Sequence, residues 1–155
     1  MLLFKAYFIG FSVPYSQEKT EELTRQITPL LGEQLNWRWE DRFSVMLSEF
    51  SRDKKDKTLV ALRQEFQHEW DRKTIKKAPP QIKEHLGELI KLSKDQLILA
   101  RPATDSTPAI IALWWPWGHG GTYSLRLALL DTPYKYQENS ASGSGLINRF
   151  KRMFA

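Results

Sequence analysis

From Pro108 to Leu130 the chain reads PAIIALWWPWGHGGTYSLRLALL. Ile110, Ile111, Ala112, Leu113, Trp114 and Trp115 form an unbroken apolar run, and Pro116 closes it. Trp117 follows, and Gly118, His119, Gly120 and Gly121 reverse the chain. Tyr123, Leu125, Leu127 and Leu129 then alternate with Ser124, Arg126, Ala128 and Leu130. A continuous apolar run bounded by Pro and Gly predicts a central strand. The alternation predicts a half-buried partner strand, so the two form a hairpin. The remaining elements are expected to pack around it.

Upstream, Leu3 to Val13 reads as a first strand, broken at Pro14 and Tyr15. Ser16 suits a helix N-cap. A helix is predicted from about Gln17 to Leu31, with Leu23, Ile27, Leu30 and Leu31 on its apolar stripe. Pro29 kinks or ends it, and Gly32 is a C-terminal stop. Leu35, Trp37 and Trp39 alternate with polar residues, as do Phe43, Val45 and Leu47. These predict a second hairpin turning at Glu40–Arg42. A short helix over Asp41–Phe50 competes, because Phe43, Met46, Leu47 and Phe50 also have helical spacing. Ser51 to Lys57 reads as a solvated loop. A helix follows from about Thr58 to Trp70, with Leu59, Leu62, Phe66 and Trp70 on one side. Pro80 suits a first helical position, and Ile82, Leu86, Leu89 and Ile90 make a third apolar stripe. Leu97 to Leu99 is a short strand.

The predicted order is β-α-β-β-α-α-β-β-β. Adjacent strands imply an α+β fold, with a mainly antiparallel sheet and the helices on one face. The expected organisation is one domain over 1–137, a Ser/Gly linker over 138–145 and a tail helix over 146–155.

Composition narrows the class. At 155 residues the chain suits a single domain with a real core. It has no Cys, which excludes disulfides, thiolate metal sites and Cys nucleophiles. The opening MLLFKAYFIGF lacks a basic leader and a small-residue cleavage site, so it reads as a strand and not a signal peptide. No run approaches the roughly 20 apolar residues that span a bilayer. A cytoplasmic location is expected. The net charge of +5 permits an anionic partner without resembling a dedicated nucleic-acid binder.

The usual catalytic signatures are missing. There is no G-x-S-x-G elbow and no G-x-x-x-x-G-K-[ST]. Gly118, Gly120 and Gly121 precede a strand, so no helix N-terminus stands there to hold phosphate. His68-Glu69 begins like a zinc motif, but Arg72 occupies the place of the second His of H-E-x-x-H. His68 and His85 fall on the polar sides of their expected helices. His119 sits at the tip of the aromatic turn, either as a contact residue or as a turn residue tolerating an unusual backbone angle. No paired carboxylates face each other. A non-enzyme is expected, with no catalytic residue, metal or cofactor.

Three features are candidates for binding. The last ten residues, LINRFKRMFA, place Leu146, Ile147, Phe150, Met153 and Phe154 within an arc of about 120° on a helix. Asn148, Arg149, Lys151 and Arg152 take the other side. A helix this short is marginal in water alone, so its apolar face needs a cover. The cover is the chain's own domain or a partner. The segment resembles two kinds of targeting peptide, the C-terminal membrane helix of MinD-type ATPases and the encapsulation peptides of bacterial microcompartments. In either resemblance Leu146, Ile147, Phe150 and Phe154 are the buried face. Arg149, Lys151 and Arg152 then meet lipid headgroups or the acidic rim of a groove.

The second candidate is Trp114, Trp115 and Trp117 with His119. Regular strand geometry sends Trp114 and Trp115 to opposite faces, which gives either two-sided burial or an exposed contact. The third is the basic run Arg72, Lys73, Lys76 and Lys77 near Lys83, either a solvated face or, with Trp37, Arg38 and Trp39, a nucleic-acid surface. The expected function is a non-enzymatic adaptor or assembly factor docking a protein partner through the tail and the aromatic hairpin. Peripheral attachment to an anionic membrane through the same tail is the second reading, and nucleic-acid binding the third.

Overall fold

The computed structural model describes residues 16–32, 35–130 and 134. Its helices are α1 (Gln17–Ile27), α2 (Lys55–Glu65) and α3 (Pro80–Leu86). Its strands are β1 (Arg38–Glu40), β2 (Val45–Ser51), β3 (His68–Trp70), β4 (Leu97–Arg101), β5 (Ala109–Pro116) and β6 (Thr122–Leu130). The strands form one antiparallel sheet in the order β1-β2-β6-β5-β4-β3. The fold is therefore α+β, as the runs of adjacent strands imply. The strand expected over Leu3–Val13, the linker and the tail lie outside the described residues.

The long hairpin is the centre of the sheet. β5 and β6 pair from Ala109↔Leu130 to Pro116↔Tyr123. Alternate side chains of β5 go to opposite faces. Ile110, Ala112 and Trp114 join one core, with Leu125, Leu127 and Leu129 of β6. Ala109, Ile111 and Leu113 join the other, with Leu130. α1 and α2 cover the first face through Leu23, Ile27, Ala61 and Leu62. α3 covers the second through Ile82 and Leu86. The helices, expected on one face, thus divide between two. The unbroken apolar run demands this, because each buried Ile or Leu contributes about 1.5–3 kcal/mol only if its own face is covered.

Local chemistry sets the helix ends. The Ser16 hydroxyl accepts from the Lys19 N–H at 3.2 Å, capping α1. Thr20, Thr24 and Thr28 each donate to the carbonyl four residues back, at 3.0, 2.7 and 2.6 Å. These bonds let Thr20 and Thr24 lie buried beside Leu23 and Ile27 without an unpaired hydroxyl. At Thr28–Leu31 the helix tightens to 3-10 geometry, and Gly32 ends it at φ 73°. The tighter turn buries Leu31 but turns Leu30 outward, 49% exposed, so Leu30 leaves the predicted stripe.

Two boundaries differ from expectation. The charged segment after Ser51 is not a loop. Arg52–Lys54 is a 3-10 turn and α2 begins at Lys55. α2 also stops at Glu65, because Phe66 adopts an extended backbone. His68 to Trp70 then pair with Ala100 to Ile98 as β3. Phe66 enters the first core and Trp70 the second. Their four-residue spacing suggests one helical face, but burial on two sides of a sheet overrides it. His68 consequently lies on a strand, with Nδ1 3.0 Å from the hydroxyl of Tyr134. Burial pushes the Tyr134 phenol well above its usual range.

Leu62 is fully buried and Val60, on the same helix, is 57% exposed. Leu62→Ala is expected to cost about 2–5 kcal/mol. Val60→Ala should change stability by less than about 0.5 kcal/mol. Chemical denaturation of both variants checks this, and equal losses would contradict the packing of α2.

Candidate functional site

The hairpin tip is built by backbone bonds. The Trp117 N–H donates to the Thr122 carbonyl at 2.9 Å, and the Gly120 N–H to the Trp117 carbonyl at 2.8 Å. Gly120 has φ 75°, a conformation that costs Gly little and other residues more. The unusual backbone angle therefore belongs to Gly120 and not to His119. His119 instead accepts the Gly121 N–H on Nδ1 at 2.9 Å. The Arg52 N–H donates to the Gly121 carbonyl at 3.0 Å, tying the tip to the end of β2.

This frame sends the three tryptophans to three environments. Trp114 is 3% exposed and packs on Phe50 and Tyr123, with ring centroids 5.6 and 5.4 Å away. It is core. Trp115 points to the opposite face and lies half-buried under Arg126, whose guanidinium carbon is 4.6 Å from the ring centroid. Trp117, past the strand end, is 46% exposed. The His119 ring is 6.1 Å from it. Of the four residues predicted as one contact, only Trp117 and His119 are open to solvent.

Beside the tip runs a groove of about 380 Å³ between α2 and the ends of β4, β5 and β6. Leu59, Leu97, Trp114, Pro116 and Tyr123 contribute its apolar lining. Lys55, Asp56, Arg63 and Asp95 supply charges of both signs. Lys55 Nζ stands 5.8 Å from the Tyr123 ring centroid. Arg63 is held by Glu69 through two bonds of 2.8 and 3.0 Å, and this pairing raises its pKa. Sequence reading missed the groove because its walls come from segments far apart in the chain. No local pattern records that meeting.

On the opposite face Arg126 pairs with Glu40 across 86 residues. Nε reaches Oε1 at 2.8 Å and Nη2 reaches Oε2 at 3.2 Å. Arg126 also donates to the Ser124 hydroxyl at 3.1 Å. The two side chains are 14% and 20% exposed. Together with the Trp115 ring this pair binds β1 to the central hairpin.

The other predicted groups separate. Trp37, Arg38 and Trp39 belong to the β1 edge, whereas Arg72 to Lys77 follow β3 at the far edge. The two segments weighed together as a nucleic-acid surface thus follow strands at opposite edges of the sheet. Among the described residues, no group of three or more His, Asp or Glu is placed to hold a metal ion. No helix among them is long and apolar enough to cross a membrane. The tail residues Leu146, Ile147, Arg149, Phe150, Lys151, Arg152, Met153 and Phe154 lie outside the described residues. Compared with family models, curated proteins and solved structures, the chain matches none.

Glu40→Gln removes the charge facing a guanidinium that has little access to water. A loss of about 1–3 kcal/mol is expected in denaturant titration. Replacing both partners by Leu and Met should recover part of that loss. A single variant as stable as the parent would show that the pair contributes nothing.

Proposed function

We propose that the protein is a non-enzymatic binding protein, an adaptor or assembly factor that attaches itself to a larger assembly. The observation that carries this reading is the exposure of Trp117 at a braced hairpin tip, beside an aromatic groove. A large aromatic side chain left half in water at a rigid apex loses little entropy when a partner covers it. The groove combines an apolar, aromatic lining with charges of both signs, a composition that suits recognition of a partner surface. The C-terminal segment adds a second attachment point. Its apolar residues Leu146, Ile147, Phe150, Met153 and Phe154 would lie in a partner groove, with Arg149, Lys151 and Arg152 at the rim.

Peripheral attachment to an anionic membrane is the second reading. It is favoured by the charge of the tail, where three basic and no acidic side chains lie between Leu146 and Ala155.

Affinity capture from the native host compares the full chain with Trp117→Ala and with a Phe150→Glu, Phe154→Glu double variant. A discrete set of proteins should be lost from the double variant and reduced by about tenfold with Trp117→Ala. The same proteins recovered equally by all three would contradict docking through these elements.

A further inference from the structure

The register of the sheet gathers separate charged segments at one end. Ser51 pairs with Thr122, Pro116 with Tyr123, Leu97 with Trp114 and Trp70 with Ile98. Residues 52–57, 71–79, 91–96 and 117–121 therefore all emerge at that end. They carry ten Lys and Arg against four Asp, a net charge of +6. The turns at the other end, 41–44, 66–67 and 102–108, carry one Arg against two Asp. The described residues together carry 18 Lys and Arg against 15 Asp and Glu, a net charge of only +3, so their positive excess is concentrated at one pole.

Two of the four acids at that pole are turned into their own backbone or a neighbouring hydroxyl. Asp71 Oδ1 accepts from the Lys73 and Thr74 N–H groups at 2.9 and 3.0 Å. Asp53 takes the Ser51 hydroxyl. These bonds hold both carboxyls below their usual range, chiefly through the Lys73 N–H for Asp71 and the Ser51 hydroxyl for Asp53. Arg52, Arg72, Lys73, Lys76, Lys77 and Lys94 remain exposed. Trp117 leaves the sheet at the same end, and the space beside Gly118 and Gly120 is open. β5 runs two residues past its last pairing with β4, which lifts the tip beyond Leu97.

We propose that this pole is the face by which the protein meets an anionic lipid bilayer. Trp117 would enter the headgroup region, and the lysines and arginines of the same end would meet the lipid phosphates. The proposal rests on reading the chain as a binding protein, but it does not require the tail. A bilayer fits better than a nucleic acid. Single-stranded nucleic acid needs several stacking platforms along a basic track. Here one exposed Trp stands at an apex, Trp114 is buried, and the cations come from three separate segments that leave the sheet at the same end. A planar anionic surface can meet them all at once.

The test is co-sedimentation of the full chain with phosphatidylcholine vesicles, with and without phosphatidylserine, at low and high salt. The wild type should bind only the phosphatidylserine vesicles and lose binding as salt rises. Lys76→Gln with Lys77→Gln should weaken binding by about 30-fold, two cations each contributing about fivefold. Trp117→Ala should weaken it by about tenfold. Arg42→Gln, at the opposite end, should leave it unchanged. All these side chains are exposed, so thermal midpoints near that of the wild type are expected of every variant. Phe150→Glu with Phe154→Glu in the full chain tests the tail separately. Binding lost only in that tail variant would overturn the polar face and leave attachment through the tail standing. No binding by the wild type would overturn the proposal. Tight binding of a single-stranded oligonucleotide without vesicle binding would replace lipid by nucleic acid.

Discussion

The strand from Ala109 to Pro116 carries apolar side chains on both sides, so neither of its faces can meet water. Ile110, Ala112 and Trp114 require one cover, and Ile111 and Leu113 another. That constraint fixes the rest of the molecule. β5 must be central, because an edge position would leave it without a second strand and expose its ladder. Helices must lie on both faces, although the strands are antiparallel throughout. Among the described residues the outermost strands, β1 and β3, are three residues each, so neither presents a long open edge.

The central hairpin was legible because its signals are local and agree. Apolar continuity, Pro116, the glycine turn and the alternation of Tyr123 to Leu130 all specify the same geometry. The caps were legible for the same reason, since Ser16 and Gly32 act on their immediate neighbours. β3 was hidden, because Phe66 and Trp70 satisfy a helical period while belonging to two different cores. Helix placement was hidden too. An amphipathic stripe says that a face is buried, but not which side of the sheet receives it.

The candidate surface divides along the same line. A cluster of tryptophans marks the hairpin, yet only the end of β5 separates Trp114 and Trp115 in the fold from Trp117 in solvent. The basic run at Arg72–Lys77 can be read in the sequence. Its emergence at the same end of the sheet as Trp117 cannot, since that follows from strand order and register. Trp37 and Trp39, nearer in sequence to that run, lie at the other edge of the sheet. Charge at the sheet end and burial at the sheet centre are two results of one topology. The connections that leave the core at that end carry Lys and Arg, and the tip of the longest hairpin leaves at the same end.

Hydrogen exchange of the full chain, with and without phosphatidylserine vesicles, tests this arrangement most directly. New protection is expected at the amides of 117–121 and 71–77, together and at the same lipid concentration, while 41–44 and 102–108 exchange as before. Protection confined to residues away from that pole, or spread evenly over both ends of the sheet, would contradict it.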